Sequence, residues 1–80
     1  MNWVEFIRFG LNCKLRIVEA FMQEGYRVLT DKEGYSTKSW VDKDGKSDRI
    51  FATKEEAETA VLNYCNKLLK VDAIKWFTIF

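Results

Sequence analysis

Thr53, with Glu56 three residues on, separates a short apolar run, Ile50-Phe51-Ala52, from a long stretch with helical spacing. A threonine hydroxyl so placed accepts from the third amide of a helix, while the glutamate reaches back to the capping residue's amide. The pair therefore predicts a capping box. From Lys54 to Lys70, Ala57, Ala60, Val61, Tyr64, Cys65, Leu68 and Leu69 recur at steps of three and four, which places them on one helix face. Glu55, Glu56 and Glu58 occupy the early turns and Lys67 and Lys70 the last, complementing the helix dipole at both ends. Such a helix is about 25 Å long at about 1.5 Å per residue, and the rest of the chain must supply a sheet for its apolar face.

The chain has 80 residues, which is one domain's length, so a single compact domain over 1–80 is expected. A chain this short buries only roughly 60 % of its unfolded surface and needs a rich core; 48 % of its residues are hydrophobic and 15 % aromatic. The net charge of +1 supplies no general attraction to nucleic acid or an anionic membrane. No apolar run has the length of a membrane span. Glu5 interrupts the amino-terminal segment, which lacks a basic-then-apolar leader pattern. Cys13 and Cys65 are too few for a disulfide scaffold and too far apart for a CxxC site. Both lie in apolar patterns and read as buried free thiols in a reducing, cytoplasmic setting.

Residues 2–24 carry two competing periods. At helical spacing, Glu5, Arg8, Asn12, Arg16, Glu19 and Gln23 form one polar stripe, with Asn2 and Glu5 as a cap and Gly25 after the end. At strand spacing, Ile7, Phe9, Leu11, Cys13, Leu15 and Ile17 alternate with Arg8, Gly10, Asn12, Lys14 and Arg16. The stripe persists to Gln23 while the alternation fails at Val18, and residues 11–24 contain no turn chemistry. The helix over 3–24 is therefore favoured, with the strand as the alternative. Lys14 departs from the stripe, and Gly10 costs about 1 kcal/mol inside a helix, marking close packing or a break. Such a helix would be apolar over most of its circumference. It is expected to be covered twice within the domain, with homodimerisation through it as the other outcome.

Tyr26–Thr30 reads as a strand, Asp31–Gly34 as a turn, and Tyr35–Val41 and Ser47–Ala52 as strands of a hairpin closed at Asp42–Gly45. Asp44-Gly45 suits a type I′ turn. Val71-Asp72 is a break, and Ala73–Phe80 is a terminal strand or a continuation of the helix. The expected fold is α+β in the order α-β-β-β-α-β, a mainly antiparallel three- or four-stranded sheet with two helices on one face.

The chemistry is thin. The chain has no histidine, which removes histidine-assisted nucleophiles, histidine metal ligands and the usual general base. Two isolated cysteines make no zinc site, and four scattered glycines make no phosphate cradle. Asp31, Glu33, Asp42, Asp44 and Asp48 fall in turns or at strand ends, as solvated charge does. Asp42-Lys43-Asp44-Gly45 fails as a calcium loop, because Trp40 and Phe51 would stand where Asp and Glu are needed. No catalytic residue, cofactor or metal is expected.

The run Gly45-Lys46 … Phe51-Ala52-Thr53-Lys54-Glu55-Glu56-Ala57 resembles the strand-to-helix step of arm-type DNA-binding domains in tyrosine recombinases. The expected order of helix, three strands and helix is similar to the double-stranded-RNA-binding domain. That family places lysines where this chain has Glu55, Glu56 and Glu58, acids that repel phosphate.

If Asp44-Gly45 is a two-residue turn, Trp40 faces Arg49 and Lys38 faces Phe51 across the hairpin. Lys38, Trp40, Arg49 and Phe51 then share one sheet face, and Val41, Ile50, Ala52 and Tyr35 the other. With the second set on the helices, the first forms an exposed aromatic and basic patch of the kind enriched at protein interfaces. The opposite assignment, favoured because large aromatics dominate small cores, makes Trp40 and Phe51 core and Arg49 an edge charge. The functional expectation is a non-enzymatic protein-binding module, a regulator or inhibitor of the sort phages and mobile elements encode against host defence nucleases. The alternative is a nucleic-acid-binding module using the sheet face.

Overall fold

The computed structural model describes residues 3–70 and 74–79. The chain forms β1 (Trp3–Arg8), β2 (Leu11–Glu19), β3 (Tyr26–Lys32), β4 (Lys38–Ser39), α1 (Lys54–Lys70) and β5 (Ile74–Ile79). The strands make one sheet in the order β4-β3-β2-β1-β5, with every neighbouring pair antiparallel. Helix α1 packs against β2, β3 and β5. The fold is α+β, with one helix among the described residues in place of the two expected, and five strands where three or four were expected.

The expected helix over 3–24 is replaced by the hairpin β1–β2 and the start of its connection to β3. Asn2, its supposed cap, lies outside the described residues. The stripe of polar residues spaced by three and four was coincidental. In the hairpin Val4 pairs with Leu15, Phe6 with Cys13 and Arg8 with Leu11. The helix-facing set is therefore even-numbered in β1 and odd-numbered in β2. Phe9 and Gly10 close the hairpin, both with positive φ (51° and 77°), as a two-residue type I′ turn demands. Gly10 thus marks the turn rather than close packing, since nothing lies within 4 Å of where its Cβ would be. With strands in place of the amino-terminal helix, neither its expected double covering within the domain nor the alternative homodimer contact through it has a basis, and the order that resembled the RNA-binding family is absent.

The core lies between the sheet and α1. Val4, Phe6, Cys13, Leu15, Val28 and Phe51 meet Ala57, Val61, Cys65 and Leu68. The four helix residues are buried at successive steps of four, four and three, as the period predicts. Helix α1 has the expected bounds. Its cap differs in one bond: Thr53 Oγ1 accepts from the Glu56 amide at 3.2 Å, but Glu56 Oε2 accepts from the Ala52 amide at 3.1 Å, one residue before the cap. Strand β5 lies within the terminal strand expected over 73–80; its first and last expected positions, and the break at Val71-Asp72, are outside the described residues.

Gly25 ends the connection from β2 to β3. A Cβ there would stand 2.7 Å from the Phe51 carbonyl oxygen and 2.7 Å from Ile50 Cγ2, and its φ is 113°. Only glycine lets this connection lie against the segment entering α1. Next to it, Tyr26 and Phe51 exchange both backbone hydrogen bonds at 2.8 Å.

The hairpin expected over 35–52 is mostly irregular. Its regular part is β4, beside Leu29 and Thr30 of β3, plus isolated bridges Val41–Asp48 and Tyr26–Phe51. The Asp42–Gly45 reversal is not type I′. Gly45 has positive φ, Asp44 does not, and the Gly45 amide donates to the Asp42 carbonyl at 2.9 Å. The Asp44 side chain holds the loop instead: its Oδ1 accepts from the amides of Lys46 (2.8 Å) and Ser47 (2.9 Å), and its Oδ2 from the Ser47 hydroxyl (2.6 Å).

Candidate functional site

Residues 39–41 and 49–51 form an arm held to itself by the Arg49 amide, which donates to the Trp40 carbonyl at 2.9 Å. Trp40 therefore does lie opposite Arg49. The expected facing of Lys38 and Phe51 does not occur, because Phe51 pairs with Tyr26 and Lys38 with Thr30. Pairing with β3 turns the Trp40 and Phe51 side of this arm inward, which is the favoured of the two assignments, with Arg49 an exposed charge. Phe51 is core at 8 % exposure, and Trp40 packs against the core. Val41, Tyr35 and Ala52 face solvent instead, and Ile50 is half-buried.

Between the arm and α1 runs an open groove of about 1000 Å³. Trp40, Val41, Arg49 and Phe51 form one wall; Glu55, Thr59, Ala60, Asn63 and Tyr64 belong to the other. The Trp40 and Tyr64 rings meet at 5.4 Å between centroids, tilted by 58°. Each polar ring atom already has a partner. Trp40 Nε1 donates to Thr30 Oγ1 at 3.2 Å, and the Tyr64 hydroxyl accepts from Arg8 Nη1 at 3.1 Å. The rings are thus locked from below and offer the groove their apolar surfaces. The Arg49 guanidinium lies over the Phe51 ring at 4.9 Å. Val41 is 47 % exposed in this setting, so the groove has an apolar lip as well as an aromatic floor.

Three of the four residues singled out from sequence, Trp40, Arg49 and Phe51, come together here; Lys38 is exposed on β4 and does not line the groove. The helix wall escaped sequence reasoning. Tyr64, at the margin of the apolar stripe, was its one signal, because an aromatic there reaches past the helix's own core contact.

The sheet face away from α1 is built differently. Lys14 Nζ sits over the Trp3 ring at 4.5 Å, and Arg16 Nε donates to Asp31 Oδ2 at 2.6 Å. Asp31 also accepts from the Thr37 hydroxyl at 2.5 Å, which, ahead of Arg16, holds its carboxyl below the usual carboxylate range. Arg27 reaches Asp48 at 3.4 Å. Lys14, Arg16 and Arg27 on this face thus carry acidic or aromatic partners within the molecule. Burial raises the thiol pKa of both Cys13 and Cys65, leaving them protonated and inert at neutral pH. Among the described residues, no group of His, Cys, Asp or Glu side chains is placed to hold a metal ion, and no helix is long and apolar enough to cross a membrane.

Fold and groove together define a small α+β domain with an aromatic-floored cleft. Over 52 residues the chain is 33 % identical to a prolyl endopeptidase of Dictyostelium discoideum, an alignment covering 65 % of this chain and 7 % of that protein. The chain thus spans a small fraction of that relative's length. No family model matches the chain, and no solved structure matches it.

Proposed function

We propose that this domain is a non-enzymatic protein-binding module and that the groove between the arm and α1 is its docking site, serving regulation or inhibition of the partner. The observation that carries this reading is the Trp40–Tyr64 pair, open on one side and fixed on the other by Thr30 and Arg8. Rigid aromatics with satisfied polar atoms in a cleft are what a partner's apolar side chain inserts against. The reading against catalysis rests on the wall's make-up. Its carboxylates, Glu55 and Glu56, are exposed at the helix start, and Glu56 already serves the cap. The nucleic-acid alternative draws less support, because Arg16 and Arg27 on the open sheet face are paired with Asp31 and Asp48.

Two groove variants test the proposal beside a thermal melt, with the partner captured from lysate of the native host and identified by mass spectrometry. Trp40→Ala removes the anchor, and Val41→Asp places a charge on the exposed lip with little demand on the core. Both are expected to abolish capture, Val41→Asp with an unchanged melt. Retained capture by a folded Val41→Asp protein removes the groove as the site. Steep loss of wild-type binding with salt would instead indicate phosphate contacts.

A further inference from the structure

The groove's charge and its two fixed rings specify what can lie in it, an inference that rests on the docking reading above. Glu55 and Glu56 face one cation, Arg49, so the walls carry a net negative charge. Glu56 is tied to the Ala52 amide and Arg49 is laid on the Phe51 ring. Among the described residues the Glu55 carboxylate has no ionic partner and is exposed. A carboxylate or phosphate entering here would meet that charge at close range. A basic side chain would be drawn by it and could keep its aliphatic stem on the apolar wall while its cation reaches Glu55.

The dimensions favour an extended segment. From Glu55 to Tyr64 the helix wall rises about 13 Å at about 1.5 Å per residue, the reach of about four residues of extended chain at about 3.3 Å each. Ser39 on the arm and Asn63 on the helix supply a hydroxyl and an amide toward a main chain lying between them. We propose that the groove takes an extended peptide segment in which one Lys or Arg side chain is flanked by apolar residues, the cation set against Glu55 and the apolar neighbours against Val41, Ala60 and the two rings.

The test is an amide NMR titration with three blocked pentapeptides, acetyl-Ala-Leu-Arg-Leu-Ala-amide and its versions with Gln or Glu at the centre. The Arg peptide is expected to shift the resonances of Val41, Asn63 and Tyr64 saturably and to bind about tenfold more tightly than the Glu peptide. Glu55→Gln should bring the Arg peptide down to the affinity of the Gln peptide. Glu19→Gln, at the far end of β2, should change nothing. Equal binding of all three peptides in the groove overturns the basic preference and leaves the docking reading standing. Tighter binding of the Glu peptide, shifts confined to residues outside the groove, or no shifts at millimolar peptide each overturn the proposal. The docking reading fails on a different result, a folded Val41→Asp protein that still captures its partner.

Discussion

Two of the chain's reversals are made by opposite means. At Phe9-Gly10 the turn has no hydrogen bond of its own side chains to rely on. A bulky aromatic sits at φ 51° with 76 % of its surface in water, a backbone state costing an L-residue roughly 1–2 kcal/mol. It persists because β1 and β2 are paired from Trp3–Arg16 to Arg8–Leu11 and bury Val4, Phe6, Cys13 and Leu15 beneath α1. At Asp42–Gly45 the flanks offer little, a single isolated bridge at Val41–Asp48. The order there comes from within, from three hydrogen bonds to one carboxylate. The first turn is imposed by its strands and could tolerate poor local chemistry; the second is self-made and could not.

The strongest way to break that contrast is to weaken what imposes the first turn. Leu15→Ala, at a side chain 1 % exposed between β1 and β3, is expected to cost about 2–5 kcal/mol, a large fraction of a small domain's stability. Urea denaturation measures it, and a loss below about 1 kcal/mol would show that the hairpin does not depend on its core face. Thr53→Ala probes the self-made kind of order at the helix start, since Thr53 Oγ1 captures the Glu56 amide. The denaturation midpoint should fall by an amount equivalent to about 1 kcal/mol; no change would mean that the cap acts through the Glu56 side chain alone. Phe9→Asn should move the other way, stabilising by roughly 0.5–1 kcal/mol, because asparagine accepts this turn's backbone and phenylalanine does not. A destabilised Phe9→Asn protein would reveal that the Arg8–Phe9 ring contact, 5.1 Å, outweighs the backbone strain.

The smallest effect is read in acid. The Ser47 hydroxyl first, then the amides of Lys46 and Ser47, hold the Asp44 carboxyl down to about 2. A carboxyl lowered in the folded state binds fewer protons there than in the unfolded chain at intermediate pH. Its contribution is therefore present above the ordinary carboxylate value and lost as pH falls from about 4 toward 2. Asp44→Asn should melt below the wild type at about pH 5 and level with it near pH 2. An equal gap at both values would mean that the carboxylate's charge is irrelevant to the loop.

Much of this was legible in the residues, and what was not has a physical cause. Helix α1 declared itself because period, cap and end charges agree from Thr53 to Lys70. The β1–β2 hairpin hid because its turn violates turn chemistry and because the two-residue reversal shifts the apolar phase. Val4 and Phe6 count even and Leu11, Cys13 and Leu15 odd, so no single alternation spans them. Trp3, Ile7 and Val18, half-buried on the face away from α1, blurred the pattern further. At the site, the Trp40–Arg49 pairing followed from the arm's register. Which face turns inward was indicated only by the size of Trp40 and Phe51, because the Tyr26–Phe51 bridge that fixes it joins segments with nothing local between them.

Strand order also dictates the sequence of events in biosynthesis. Strands β2, β3 and β4 can pair with their neighbours soon after each is made, whereas β1 finds its second neighbour only in β5, with Val4 beside Ile79. That closure links segments about as distant as an 80-residue chain allows, the slowest kind of contact to make. Until then the row of amides and carbonyls along β1 lies open on the nascent chain, next to Val4 and Phe6. An unpaired edge of this sort recruits other strands, including those of a neighbouring copy. Strand β5 thus acts as a guard for β1, covering an edge that would otherwise stay open to pairing.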